Sequence, residues 1–101
     1  MPLYLVSYDI KEENRDEYQE LWDYLDALGG VRILFSEYAV PFNDGGAFDL
    51  ATKINKHLKT GDRLLVCELF DGESQTRAWV RLRIGDDAFQ EMLTNYARTL
   101  N

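Results

Sequence analysis

The sequence predicts an α+β fold in which helices cover one face of a sheet of four or five strands. Three observations lead to this prediction. Apolar runs of strand length alternate with segments whose apolar residues recur every three or four positions. Turn residues separate these segments. Hydrophobic residues make up 46% of the 101 residues. A chain of this length can bury a core, and we expect residues 1–101 to form a single domain.

The first half of the chain predicts a strand, a helix and a further β segment. Residues 3–9 are mostly apolar and rich in aromatic and β-branched side chains, as expected of a central strand. Residues 14–28 carry an apolar stripe at helical spacing, and Gly29-Gly30 ends the helix. Residues 31–40 have β character, and a reversal near Phe35-Ser36 would make them a hairpin.

The second half predicts a helix, two strands and a final helix. Residues 47–59 have helical periodicity with lysines on the outer side, and residues 63–70 form an apolar strand in which we expect Cys67 to be buried. Residues 76–84 alternate strictly between apolar and mostly basic side chains, which is typical of a half-buried strand. Residues 87–100 have the apolar stripe of a helix.

The order of these elements favours one topology. Two strand–helix–strand crossovers around a central hairpin are the split βαβ arrangement of a ferredoxin-like fold, to which this chain adds a C-terminal helix. The alternative is a small doubly wound α/β sheet, which would form if residues 31–40 were one straight strand.

The charge and the cysteine count restrict the classes of function. The formal net charge is −7, and residues 1–50 hold 11 acidic and 3 basic residues. This charge excludes long-range attraction to nucleic acid. A nucleic-acid role therefore needs a local basic patch, a metal ion or a partner. The simplest interpretation of this charge is solubility alone. The single cysteine, Cys67, excludes an intrachain disulfide and favours the cytoplasm. Because the first apolar run is too short for a signal peptide or a bilayer span, we expect no membrane association.

The end of the first predicted strand holds the best candidate site residue, Asp9. Ligands of α/β sheets gather at strand ends, and a carboxylate there can bind Mg²⁺ or Mn²⁺ while the ion keeps several waters. Ser7, Tyr8 and Ser36 are polar groups expected near the same strand end. The alternatives are that Asp9 only caps a turn and that the other three make ordinary hydrogen bonds within the sheet.

A second candidate surface is the basic side of the alternating strand 76–84. It would present four side chains, namely Arg77, Trp79, Arg81 and Arg83. Arginines with one aromatic side chain suit phosphate contact with a stacked base, and they suit an acidic protein partner equally well. The commonest alternative is a solvated edge strand that its charges protect against aggregation.

Three stretches carry a resemblance to a known family. They are YLVSYDI at Tyr4 to Ile10 followed by Arg15, then GVRILFSEYAV at Gly30 to Val40, then GDRLLVCEL at Gly61 to Leu69. Their order and spacing resemble the small CRISPR-associated ferredoxin-like family, whose members include metal-dependent nucleases and the dimeric subunit that works beside the integrase in spacer acquisition. The fold also looks like that of the virulence-associated D-type RNase toxins.

The resemblance implies a homodimer whose two copies share one metal site. Asp9 matches the aspartate that ends the family's first strand, and Ser36 and Tyr38 match the serine and the aromatic residue of its third strand. On this hypothesis Asp9 of each copy binds Mg²⁺ or Mn²⁺, while Ser7, Ser36 and Arg15 position the scissile phosphate of RNA or DNA.

Two other functions stay open from the sequence. One is a non-catalytic homodimeric scaffold or adaptor, in which the arginine-rich strand binds an acidic protein partner and Asp9 only caps a turn. The other is a nucleic-acid-binding subunit that needs a basic partner protein.

Overall fold

The computed structural model describes residues 1–10, 18–71, 79 and 82–99, and the account of the structure is confined to them. Five strands and three helices lie in these parts of the chain. In chain order they are β1 (Leu3–Asp9), α1 (Gln19–Ala27), β2 (Val31–Leu34), β3 (Glu37–Pro41), α2 (Ala47–Asn55), β4 (Arg63–Asp71), α3 (Asp86–Tyr96) and β5 (Arg98–Thr99).

The strands form one mixed sheet in the order β2-β3-β1-β4-β5. The central strand β1 pairs antiparallel with β3 on one side and with β4 on the other, and only β5 runs parallel to its neighbour β4. A turn at Phe35 and Ser36 divides residues 31–41 into the β2-β3 hairpin, so the predicted reversal is confirmed and the straight-strand alternative is wrong. The ferredoxin-like α+β fold follows from this arrangement.

The helices α1 and α2 pack on one face of the sheet, which we call the helix face. The even-numbered residues of β1 point to this face because side chains alternate along a strand. Tyr4, Val6 and Tyr8 are buried there against Leu21 and Leu25 of α1, among other residues of the same core. The expected helical stripe of α1 is thus confirmed, although the first residues of the predicted helix, 14–17, lie outside the described residues.

The end of α1 is fixed by two glycines, as predicted. Gly29 has a positive φ of 85°, and its amide donates to the carbonyl oxygen of Asp26 at 2.9 Å. A Cβ on Gly30 would lie 2.7 Å from the carbonyl oxygen of Leu25, so a larger residue there would clash with the backbone. This tight exit connects α1 to β2, which begins at Val31.

The third helix packs on the opposite side of the sheet, which we call the second face. Phe89 and Leu93 of α3 are buried against Leu3, Ala39 and Leu69. The C-terminal helix that the sequence predicts in addition to the helices of the first face is thus confirmed, and it covers the opposite face. The physical reason is that the odd-numbered residues of β1 near its start are apolar as well, so the second face also needs cover.

The C-terminal part of the chain differs from its predicted elements. The alternating segment 76–84 was predicted to be a strand, but Leu82 to Gly85 form a turn. Of the remaining residues of this segment, only Trp79 is described. The fifth strand is instead the short β5, in which Arg98 pairs with Phe70. The predicted helices also end early, α2 at Asn55 and α3 at Tyr96. None of the helices in the described residues is long and apolar enough to cross a bilayer.

Candidate functional site

The end of β1 places its three polar residues on different sides of the sheet. Asp9 is the last residue of the strand and is exposed to solvent. Ser7 lies on the same face as Asp9, the second face, because the two residues are two positions apart. Tyr8 points the other way, into the helix-face core, where its ring is only 6% exposed.

The β2-β3 turn comes close to this strand end. The amide of Tyr8 donates to the carbonyl oxygen of Ser36 at 3.1 Å, and the Tyr8 hydroxyl donates to the carbonyl oxygen of Phe35 at 3.4 Å. The structure therefore brings Ser36 next to the strand that carries Asp9. Tyr38 is buried at 4% exposure on the helix face, with its ring centroid 6.5 Å from that of Tyr8.

Part of the second face is left uncovered by α3, and we call it the open half. Its residues on β1 and β4 are Ser7, Asp9, Arg63, Leu65 and Cys67, and Glu37 of β3 lies opposite Ser7 on the same face. Leu65 is 61% exposed, although it lies in the middle of a sheet face. Cys67 is exposed as well, so its expected burial is wrong, because its strand position faces the open half rather than the helices. The open half therefore combines an exposed apolar side chain with exposed charged ones.

The open half has some of the ligands that a divalent cation needs. The carboxylate of Asp9 and the hydroxyl of Ser7 are the hard oxygen donors that Mg²⁺ and Mn²⁺ prefer. Within the described residues, no group of three or more His, Cys, Asp or Glu side chains converges as a ligand set. Besides Asp9, this face carries the carboxylate of Glu37, which lies opposite Ser7 in the pairing of β1 with β3. Such a sparse set of protein ligands suits a cation that keeps most of its waters.

Behind the end of β1, on the helix face, an arginine is enclosed by aromatic rings. The guanidinium carbon of Arg32 lies 4.7 Å from the ring centroid of Trp22 and 5.4 Å from that of Tyr38. The two rings are nearly parallel, with an interplanar angle of 7°. Such contacts between a cation and aromatic faces stabilise the arginine in place of solvent. The Nε atom of Arg32 is buried and has no hydrogen-bond partner among the described residues.

This cluster determines the protonation of the two tyrosines predicted to contact substrate. Burial raises the pKa of Tyr8 to about 12, although the charge of Arg32 and a side-chain hydrogen bond with it act in the opposite direction. Burial likewise raises the pKa of Tyr38. Both phenols thus stay protonated at neutral pH, and neither is a source of negative charge in the core.

The other predicted contact residues are not brought to this site by the described structure. Arg15, Arg77 and Arg81 lie outside the described residues. The ring of Trp79 packs edge-on against Phe89, with 4.8 Å between centroids, as part of the packing beneath α3. Arg83 is exposed, and its backbone amide donates to the carbonyl oxygen of Ile33 at 3.0 Å, at β2.

Sequence reasoning missed two arginines beside the site, Arg32 and Arg63. Arg32 alternates with apolar Val31 and Ile33, a pattern that predicts an exposed side chain, whereas the folded hairpin places Arg32 against Trp22 of α1. No local sequence pattern marks Arg63 as a site residue. Its position opposite Asp9 depends on how β1 and β4 align, which is a property of the folded sheet.

Comparison with known protein families finds a match over most of the chain. The model of the family described as CRISPR associated protein Cas2 matches residues 1–77. The matched region contains β1 through β4 and both helices of the helix face, and it ends before α3. No solved structure matches the chain significantly.

Proposed function

This chain belongs to the CRISPR-associated Cas2 family, which gives it a CRISPR-associated nucleic-acid-processing role, and we propose that two copies of it form a metal-dependent phosphodiesterase. The observation that carries the proposal is the placement of Asp9. Its carboxylate is exposed at the end of the central strand and lies on a sheet face that α3 leaves open. A carboxylate in that position is accessible to a cation, to a phosphate and to a second copy at once.

The open half supports the proposal of a homodimer. Leu65 is 61% exposed, and Cys67 beside it is exposed too, so burying this surface against a second copy would remove apolar area from water. A two-fold contact at this surface would bring two Asp9 carboxylates toward each other, because Asp9 lies on the same face. The partner copy would then supply its own Asp9 carboxylate to the same cation.

The roles of the residues follow from this arrangement. When bound, the divalent cation supplies charge stabilisation of the phosphate and lowers the pKa of a bound water. The two Asp9 carboxylates would hold the cation. The Ser7 hydroxyl, on the same face as Asp9, would donate a hydrogen bond to a phosphate oxygen, and Ser36 and Arg15 are proposed to position the same phosphate.

Cleavage assays test the catalytic part of the proposal. Labelled single- and double-stranded RNA and DNA are incubated with Mg²⁺ or Mn²⁺ and with wild type, Asp9→Asn or Asp26→Asn. Asp26 is a matched control because it is an exposed aspartate on α1, in the helix layer. We expect cleavage by wild type and by the control, and its loss in Asp9→Asn. Equal cleavage by Asp9→Asn would overturn the assignment of Asp9.

The dimer is tested separately by sedimentation analysis of Leu65→Glu and Phe48→Glu. Phe48 is a stringent control because it is 82% exposed but belongs to α2, in the helix layer. We expect Leu65→Glu to sediment as a monomer and to lose cleavage, while Phe48→Glu keeps both properties. A Leu65→Glu monomer that still cleaves would show that the site is not shared between copies.

A further inference from the structure

The register of the sheet places an arginine directly opposite the candidate metal ligand. In the antiparallel pairing of β1 with β4, Asp9 is the partner of Arg63. Side chains of directly opposed residues project to the same face, with Cβ atoms about 4.5–5.5 Å apart. Both residues are exposed. A guanidinium group and a carboxylate therefore share the same end of the open half.

Two other described arginines near the sheet are engaged elsewhere. Arg98 forms a two-point ion pair with Glu68, at 2.5 and 2.6 Å, and Arg32 is enclosed by the rings of Trp22 and Tyr38. Within the described parts of the chain, no hydrogen bond or ion pair joins the Arg63 side chain to another residue. Its fork of donors is thus directed to solvent beside Asp9.

We propose that Arg63 is a phosphate-binding residue of the open half, where it holds the nucleic-acid backbone next to Asp9. This inference rests on the proposed function and deepens it, because it assigns the cation that an acidic chain needs in order to bind nucleic acid. A guanidinium binds phosphate through two parallel hydrogen bonds and keeps its charge at any physiological pH. With a net charge of −7, the chain repels phosphate at long range, so a local cation is required.

The charge of Asp9 should act on a phosphate held at Arg63. A carboxylate repels a phosphate, and the two groups would lie within one Debye length of each other. Removing the charge of Asp9 should therefore strengthen phosphate binding in the absence of metal. That gain should require Arg63, because Arg63 is the residue proposed to hold the phosphate.

The experiment is binding of a fluorescein-labelled DNA duplex and of a labelled RNA, measured by anisotropy in EDTA over a series of salt concentrations. The variants are Arg63→Gln, Arg63→Lys and, as the matched control, Lys56→Gln. Lys56 is an exposed cation at the end of α2, in the helix layer. For Arg63→Gln we expect weaker binding and a salt slope that is shallower by about 0.9 for each phosphate that the protein no longer neutralises. Arg63→Lys should keep the slope, and Lys56→Gln should match wild type.

A double-mutant comparison completes the test. Asp9→Asn should bind more tightly than wild type in EDTA, whereas Asp9→Asn combined with Arg63→Gln should bind no better than Arg63→Gln alone. A salt slope of Arg63→Gln equal to that of wild type would overturn the proposal, and so would an absence of salt-dependent binding by wild type. Urea unfolding of each variant shows whether the exposed substitutions leave the fold intact.

The experiments test the role of Arg63 independently of the nuclease assignment. If Asp9→Asn cleaves as well as wild type but Arg63→Gln loses the salt-dependent binding, the catalytic role of Asp9 fails and the role of Arg63 stands. If Asp9→Asn loses cleavage while Arg63→Gln binds like wild type, the nuclease stands and the role of Arg63 fails.

Discussion

The hydroxyl of Tyr18 donates a 2.7 Å hydrogen bond to Oδ2 of Asp62, which links the residue before α1 to the residue before β4. The same oxygen accepts the backbone amide of Lys59 at 2.8 Å. Because Asp62 immediately precedes Arg63, this contact fixes where β4 begins and hence the position of Arg63 opposite Asp9.

Removing this hydroxyl should destabilise the fold measurably. Tyr18→Phe keeps the ring, which is only 1% exposed, but leaves Asp62 without one donor. We expect a loss of about 1.5–3 kcal/mol in the free energy of unfolding, the usual range for a hydrogen bond to a charged group. Urea unfolding measures it, and Tyr96→Phe at an exposed position is the control. Equal stability of the two variants would show that the hydrogen bond contributes nothing.

Shortening a buried side chain of α3 should lower the free energy of unfolding. Leu93 of α3 is fully buried against the sheet, so Leu93→Ala leaves a cavity and should cost about 2–5 kcal/mol. Leu65→Ala is the same chemical change at a site that is 61% exposed, and it should change stability by less than about 1 kcal/mol. Chemical denaturation of both variants compares them. Similar losses would mean that α3 does not hold the second face closed.

Tyr8 should make the fold sensitive to alkali. Burial raises its folded-state pKa to about 12, above the value of 10.0 expected when unfolded. The resulting stabilisation is complete below pH 10 and is lost as the pH rises through the folded pKa, by roughly 2–3 kcal/mol. Unfolding free energies of wild type and Tyr8→Phe are compared from about pH 8 to about pH 12. The decline should be shallower in the variant, and parallel curves would refute the argument.

The thiol of Cys67 should report on the open half. Although Cys67 is exposed overall, partial burial raises the pKa of its thiol, and the charge of Glu37 adds to this. Because the thiolate is the reactive form, maleimide labelling should still accelerate as the pH passes 9.0, the usual thiol pKa. If a second copy covers this surface, labelling should slow with rising protein concentration in wild type but not in Leu65→Glu. A rate that does not depend on concentration would argue against a dimer through this face.

The parts of the fold that the sequence predicted well are those specified locally. The periodicity of residues 14–28, the turn at Phe35-Ser36 and the glycines after α1 each act on their own neighbours. The strand at 76–84 failed over its described residues for a reason visible in the packing. Its apolar residues Leu82 and Ile84 pack against the hydrophobic cluster beneath α3. They are therefore partly buried although they lie in a turn and not in a strand.

In the candidate site, too, residues marked by a local sequence pattern were predictable, and residues placed by strand pairing were not. Asp9 was predictable because a carboxylate ends an apolar strand, and this pattern lies within seven residues. Arg63 was not, because its closeness to Asp9 exists only once strands more than fifty positions apart have aligned. The two-residue strand β5 was unpredictable too, since its pairing with β4 depends on the length and direction of α3.

The packing of Leu3 with Leu93 joins β1 and α3, which are far apart in the sequence, in one hydrophobic cluster. During synthesis on the ribosome, β1 emerges well before α3, which covers it on this side. Until then Leu3, Ala39 and Leu69 face water, or else a chaperone. Folding of this protein is therefore expected to finish only after translation of α3 is complete, and long-range contacts of this kind slow folding. A stalled nascent chain that stops before α3 would be the form most prone to aggregate.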